Sequence, residues 1–318
     1  MKVAKSADVI IIGGGPAGMT AALWCEELGL TAVLIEEAPR LGGQLHRVYN
    51  PIENYPGARA ENGFEMVSKF DASLASASFV SRIGIKASAV DPASGAVRLE
   101  GPEQEVWSGH AIVLAMGVRR RVLGIPGESE FAGRGILESG VRDRELVKGK
   151  RVLIVGGGDA AFENAISLSD SASSVVVAFR RSEPSARKEF VSAVKDRQNI
   201  ELLSETVVTE IVGDEAVRKV AIRDSTGTDR SVPVDAVLIR IGVEPNSELV
   251  RGLIDLDEAG YIKVDHTGRT SAKNVYAVGD VANSHSPTLS TAAGTAASAV
   301  KAISNSIGAR TDRTSNKS

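Results

Sequence analysis

The chain has one cysteine, Cys25, in 318 residues. A lone thiol excludes an internal disulfide, a Cys-x-x-Cys redox pair and a thiolate metal cluster. Histidine is also scarce, with four residues and no ligand spacing such as His-x-x-x-His, so no metal site is expected. No apolar run approaches the roughly 20 residues that a membrane-spanning helix needs. The opening segment Met1–Asp8 does not read as a secretory signal, so a cytoplasmic protein with no membrane partner is expected. Nor is there an excess of charge: 37 Lys+Arg against 40 Asp+Glu leave a formal −3, which gives no general attraction to nucleic acid or an anionic membrane. Aromatics make up only 4% of the chain.

Glycine, by contrast, is abundant, at 32 residues, and it is not scattered. The run Val9-Ile10-Ile11-Ile12-Gly13-Gly14-Gly15-Pro16-Ala17-Gly18 recurs as Val152-Leu153-Ile154-Val155-Gly156-Gly157-Gly158-Asp159-Ala160-Ala161. Each copy is a β-branched run of the kind buried in parallel sheets, then glycines, then a helical stretch, Met19–Leu28 in the first and Phe162–Leu168 in the second. A further apolar run comes after each helix, Ala32–Ile35 and Val175–Phe179. Two βαβ units predict an α/β protein of two doubly wound, Rossmann-like nucleotide-binding domains. Ala111–Gly117 reads as the last strand of the first domain and Ala236–Gly242 as that of the second. A strand is predicted at Val275–Val278 and a helix at Ser290–Ile303. The closing stretch is too small for a domain by itself, so the second domain is inserted in the first. The expected domains are 1–117 with 247–318, and 118–246, with residues 308–318 a polar, disordered tail.

The two glycine clusters lead into strands whose ends differ in charge. Gly13-x-Gly15-x-x-Gly18 lets a helix N-terminus meet a pyrophosphate, and Glu36 closes the next strand where a carboxylate accepts hydrogen bonds from an adenosine ribose. Gly156-x-Gly158-x-x-Ala161 leads to Phe179-Arg180-Arg181, with Arg187 beyond and no acid. Guanidinium groups there suit a ribose 2′-phosphate, so the second site is expected to prefer NADPH to NADH. One acid-marked and one arginine-marked fold suggest FAD together with NADPH.

These clusters, with Gly42-Gly43-Gln44-Leu45, Glu53-Asn54-Tyr55-Pro56-Gly57, Ala115-Met116-Gly117, Arg180-Arg181, Val278-Gly279-Asp280 and Ser290-Thr291-Ala292-Ala293-Gly294, resemble the low-molecular-weight thioredoxin reductases. They resemble equally the related thioredoxin-reductase-like ferredoxin–NADP reductases. The likeness runs from about Asp8 to Ile303. It implies an FAD site in which Gly13, Gly15, Pro16, Ala17 and Gly18 hold the pyrophosphate and Glu36 the ribose. Gly42, Gly43 and Gln44 would run beside the ribityl chain, Asn54 near the isoalloxazine, and Asp280, after Gly279, on the ribityl hydroxyls. The backbone at Thr288 and Leu289 would face the flavin, and Gly117 would close the site. Gly156, Gly158, Asp159, Ala161, Arg180, Arg181 and Arg187 would hold NADPH. The resemblance also implies a homodimer and a hinge near 117–121 and 242–247.

Two departures from the family pattern matter. Pro287-Thr288-Leu289 stands where Arg-Gln-Ala is usual beside the flavin. Ser139-Gly140-Val141-Arg142-Asp143 stands where the reductases carry Cys-x-x-Cys-Asp, so the intramolecular dithiol is missing although the acid remains. Cys25 reads as a small packed apolar residue. His46, Tyr49 and His285 are further candidates for the flavin's surroundings. The arginines at 119, 120, 121, 142 and 144 could dock an acidic carrier. The expected activity is hydride transfer from NADPH to FAD, with no side chain acting as acid or base, and then to an unidentified acceptor. That acceptor would be ferredoxin or flavodoxin, or a small molecule such as a quinone or an external disulfide. A flavoprotein sensor without turnover is the remaining alternative.

Overall fold

The computed structural model describes residues 5–101 and 105–315, with residues 309–315 described by backbone alone. It divides into two compact units, residues 1–119 with 244–318, and residues 120–243. The crossings fall within a few residues of Gly117 and Asn246.

The first unit is built on β1 (Lys5–Ile12), α1 (Pro16–Glu27), β2 (Ala32–Glu36), α2 (Gly63–Leu74), β3 (Val80–Ile83), β4 (Ala87–Asp91), β5 (Ala96–Leu99) and β6 (Val106–Leu114). The parallel strands lie in the order β3-β2-β1-β6. The strand Val275–Ala277 pairs in parallel with the C-terminal half of β6, and β5 pairs antiparallel with its N-terminal half. Alternate residues of β1 enter opposite cores. Val9 and Ile11 pack with Ala21, Ala22 and Cys25 of α1 and with Ala296 and Ala299 of the C-terminal helix. Ile10 and Ile12 pack with Val97, Trp107 and Val250 on the other face. A strand covered on both faces has no polar side, which is why β1 reads as an unbroken apolar run.

Two helix bounds differ from the sequence expectation. The helix expected from Met19 starts at Pro16, because proline at the first helical position has no N–H to waste and the right φ already. The helix expected to stop at Ile303 runs Leu289–Ser315, which overturns the disordered tail from residue 308. Extending a formed helix gains one hydrogen bond per residue fixed, whereas only starting one is costly. Residues 316–318 lie outside the described residues.

The second unit carries β7 (Ile136–Leu137), β8 (Arg151–Val155), α3 (Asp159–Ser169), β9 (Ser174–Ala178), α4 (Lys188–Lys195) and β10 (Ile200–Leu203). Three antiparallel strands come next, β11 (Val207–Gly213), β12 (Val217–Arg223) and β13 (Asp229–Pro233), and then β14 (Ala236–Ile239). The parallel sheet has the order β10-β9-β8-β14-β7. Val152 and Ile154 face α3 and the fully buried Phe162, while Leu153 and Val155 face Val208 and Val220 of the antiparallel sheet.

Among the described residues no helix is long and apolar enough to cross a membrane. Cys25 is fully buried on the face of α1 that packs with β1 and the C-terminal helix. Burial, with the Asp8 charge, pushes its thiol up to about 12, so the reactive thiolate is suppressed at any ordinary pH. Native protein at pH 8 should therefore give no reaction with an aromatic disulfide reagent, and one thiol after unfolding in guanidinium. A full equivalent titrated in the native state would show that the α1 packing is wrong.

Candidate functional site

In both units the glycine turn joins the carboxyl end of a central strand to a helix N-terminus. The first glycine has no room for a side chain: a Cβ on Gly13, at φ +105°, would lie 2.4 Å from the Ala115 carbonyl oxygen, and one on Gly156, at φ +143°, 2.1 Å from that of Arg240. A Cβ on Gly18 would overlap the Gly13 carbonyl oxygen at 1.8 Å.

Gly15 is different. Its φ of −73° suits any residue, and an added Cβ would meet nothing nearer than the Gly43 Cα at 3.9 Å. Gly158 repeats the observation, with φ −97° and only the Ser185 Oγ at 3.8 Å. The chain itself does not require glycine at either position. A diphosphate drawn to the backbone amides of the helix N-terminus does, so the cradle of each turn fits a dinucleotide.

Around the first turn the fold assembles most of the residues expected to hold FAD. Pro16 and Ala17 open α1, and a Cβ on Gly279 would press on Ala17. Gly42 donates to the Gly14 carbonyl at 2.8 Å, which brings Gly42 and Gly43 over Gly15. Glu36 is buried and accepts from the Gly14 amide at 2.5 Å and the Ala38 amide at 2.7 Å. It forms the edge of a cavity of about 660 Å³ reaching from Ile12 and Gly13 past Lys86–Ser88 to Met116 and Asn246. Asp280 is half-buried, and desolvation raises its carboxyl above the usual range. Such a group gains from hydroxyl donors, as a ribityl chain would supply.

Other expected residues are used differently. The Gln44 side chain donates to the Val118 carbonyl at 2.7 Å. Thr288 caps the C-terminal helix, its Oγ1 accepting from the Thr291 amide, and Leu289 packs against the Leu45 cluster. Gly117 accepts at its carbonyl from the Asn246 amide. Asn54 is exposed on its loop, beside the anchored Tyr55. His46 donates from Nε2 to the Leu41 carbonyl at 2.6 Å, which leaves its buried Nδ1 without a hydrogen-bond partner. Tyr49 lies against Phe64, and His285 is exposed.

In the second unit a cavity of about 680 Å³ is walled by Gly156–Ala160, Phe179, Arg180, Arg181, Glu183, Ser185 and Arg240. Gly13 donates to the Ile35 carbonyl and Gly156 to that of Ala178, so Phe179 is the counterpart of Glu36. The acid of the first unit is replaced by a buried ring packed on Phe162, and the exposed Arg180 and Arg181 come after it on the wall. Asp159 and Arg187 pair with each other at 2.8 Å. Sequence reasoning misses Arg240, although Arg240-Ile241-Gly242 repeats the position of Ala115-Met116-Gly117. Burial and the nearby Arg120 push its guanidinium down to about 10.

Where the resemblance places a dithiol, Ser139 and Asp143 are buried. Asp143 accepts from the Glu138 and Ser139 amides at 2.7 and 3.1 Å and lies 3.3 Å from Arg142 Nε, while Arg142 also pairs with Glu138. The acid holds the loop together. Among the described residues no group of three or more His, Cys, Asp or Glu side chains could hold a metal.

The family model described as pyridine nucleotide-disulphide oxidoreductase matches residues 7–303. A thioredoxin reductase of Mycolicibacterium smegmatis is 37% identical over 301 residues, 92% of this chain and 94% of that protein. The thioredoxin reductase of Lactococcus lactis, solved in its FR conformation, superposes with a TM-score of 0.81 at 30% identity, covering 93% of this chain and 97% of that one. The thioredoxin reductase of T. acidophilum gives 0.80 at 30% identity, covering 95% and 99%.

The two kinds of glycine separate experimentally. Gly15→Val should fold, by circular dichroism, yet purify colourless and fail to take up added FAD. Gly18→Ala should instead cost the fold itself about 1–3 kcal/mol or more in urea unfolding. A yellow Gly15→Val protein would mean that the diphosphate lies elsewhere.

Proposed function

Because the chain belongs to the pyridine nucleotide-disulphide oxidoreductase family, whose thioredoxin reductase-like members use FAD and NADPH, we propose that it is an NADPH oxidoreductase whose electrons leave without an internal dithiol. FAD, when bound, supplies the hydride-accepting and electron-donating chemistry. The chain's own residues bind and orient. Gly13–Gly18, Glu36, Gly42, Gly43 and Asp280 would hold the flavin nucleotide. Gly156–Ala161 would seat the NADPH diphosphate, and Arg180 and Arg181 its 2′-phosphate.

One observation carries the departure from thioredoxin reduction. The dithiol position holds a buried serine and an arginine, its acid is engaged with loop amides, and the lone cysteine is buried on α1. A small acceptor, such as a quinone or an external disulfide, has more support than ferredoxin or flavodoxin, because the arginine string that could dock an acidic carrier is already engaged. Arg119 pairs with Glu244 and Glu248, Arg120 donates to the Glu138 carbonyl, and Arg121 to that of Val243. The proposal includes a cytoplasmic homodimer, as the family resemblance implies.

Flavin reduction followed by stopped flow should be faster at limiting NADPH than at limiting NADH. In the Arg180→Ala, Arg181→Ala double variant the apparent NADPH affinity should fall about tenfold or more, as expected for a lost charge-assisted contact worth about 1.5–3 kcal/mol. Unchanged selectivity in that variant would remove the arginines from the site.

Thioredoxin with NADPH should give no turnover, and Cys25→Ser should reduce its flavin as the parent does. Thioredoxin turnover at ordinary reductase rates, in a preparation free of contaminating reductase, would overturn the proposal.

A further inference from the structure

We propose that Asp159 and Arg187 form a clasp that positions Arg180 and Arg181 for the 2′-phosphate, instead of contacting the nucleotide themselves; this rests on the NADPH reading of the cleft. The segment bearing the arginines is tied at both ends. On one side the Thr206 amide donates to the Phe179 carbonyl and the Glu205 amide to that of Arg181, both at 3.0 Å. Glu205 takes φ +50° to do so, a conformation rare outside glycine. On the other side the Ser185 and Ala186 amides both donate to the Gly157 carbonyl, at 2.8 and 3.0 Å. The segment therefore folds back onto the glycine turn, and Asp159 completes the attachment. Its carboxylate accepts from the Arg187 amide at 2.7 Å and from Arg187 Nε at 2.8 Å. The Arg187 guanidinium lies over the Phe190 ring, 4.6 Å from its centroid.

The wall of the cleft separates the roles. Arg180, Arg181, Ser185 and Asp159 form part of it, and Arg187 does not. Arg187 stands behind Asp159, its guanidinium engaged by that acid and by the Phe190 ring. The clasp also accounts for an acid at the first position of α3, where the diphosphate is expected. An isolated carboxylate there would repel the incoming phosphates, and pairing with Arg187 offsets its charge. Both partners are exposed, 67% and 43% at the side chain, so the ion pair itself contributes little. Its effect lies in ordering the segment.

The test uses the flavin-loaded protein and calorimetric titration with adenosine 2′,5′-bisphosphate and with 5′-AMP, which differ only in the 2′-phosphate. Asp159→Ala should raise the dissociation constant for the bisphosphate about fivefold, a change of the size expected for an exposed pair plus one backbone hydrogen bond, and Arg187→Ala, which keeps its amide bond to Asp159, should raise it by less. The constant for 5′-AMP should move less than about twofold in Asp159→Ala, whereas Arg187→Ala, which leaves the carboxylate unpaired, should weaken 5′-AMP by a smaller factor than it weakens the bisphosphate. The double variant should be no worse than Asp159→Ala, because that single change already removes both contacts of the clasp. Asp159→Asn, which can still accept from the Arg187 amide, should fall between parent and Asp159→Ala. Tighter bisphosphate binding by Asp159→Ala would make Arg187 a direct phosphate ligand freed from a competitor and would overturn the clasp. So would losses that multiply in the double variant, or equal losses for both nucleotides. A parent protein that does not prefer the bisphosphate over 5′-AMP would instead refute the NADPH reading on which the clasp stands.

Discussion

The approach of one carbonyl to one glycine sets the geometry of each nucleotide-binding unit. The strand beside the central one is followed directly by Ala115 in the first unit and Arg240 in the second, and the carbonyl oxygen of that residue occupies the space a Cβ would need on Gly13 or Gly156. Ala115 and Arg240 are held there by amide bonds to the carbonyls of Ile12 and Val155, the last residues of the central strands. The turn must then leave the sheet in a conformation open to glycine, and the helix starts three residues later, at Pro16 or Asp159, with its free amides aimed past the strand ends. Side chains elsewhere can vary around this contact. The contact itself leaves no room for one.

With the same backbone device in both units, the differences between them are differences of chemistry. Glu36 is held by two amides at the rim of its cavity, and a carboxylate so placed can also accept ribose hydroxyls. Its counterpart Phe179 is buried against Phe162, which removes the acceptor and the negative charge together. The next two residues are arginines, so the rim changes sign within one step along the strand. An NADP-type cofactor needs both changes, since a guanidinium next to a retained glutamate would be neutralised before it met a phosphate.

Much of this is legible in the sequence, because the signals are local. Continuous apolar runs mark strands covered on both faces, the glycines mark the turns, and the ionic character of the next strand end distinguishes the cofactors. The illegible part depends on segments that meet only in the folded chain. Lys86–Ser88 reach the first cavity through the strand order, and nothing near Glu36 in sequence announces them. Arg240 looks like a charge closing a strand until the repeat is extended to its far end. Arg187 looks like a third phosphate ligand because spacing counts residues, whereas the Gly157 carbonyl bends the segment and delivers Arg187 to Asp159. The polarity of the tail says nothing of the long helix that feeds it.

Asp143, where the resemblance places the acid after a dithiol, has a structural role of its own. Beside a dithiol a carboxylate can exchange protons. Here it is buried, takes two loop amides and stands next to Arg142, so it stabilises the bend after β7 whatever the redox state of the protein. The absence of the cysteines therefore does not release the aspartate, because the loop depends on it independently. The one thiol in the sequence, Cys25, is in the other unit, on the buried face of α1, and is pushed up to about 12. Under the proposed function, reducing equivalents would be held on the bound cofactor, and an acceptor would take them from there.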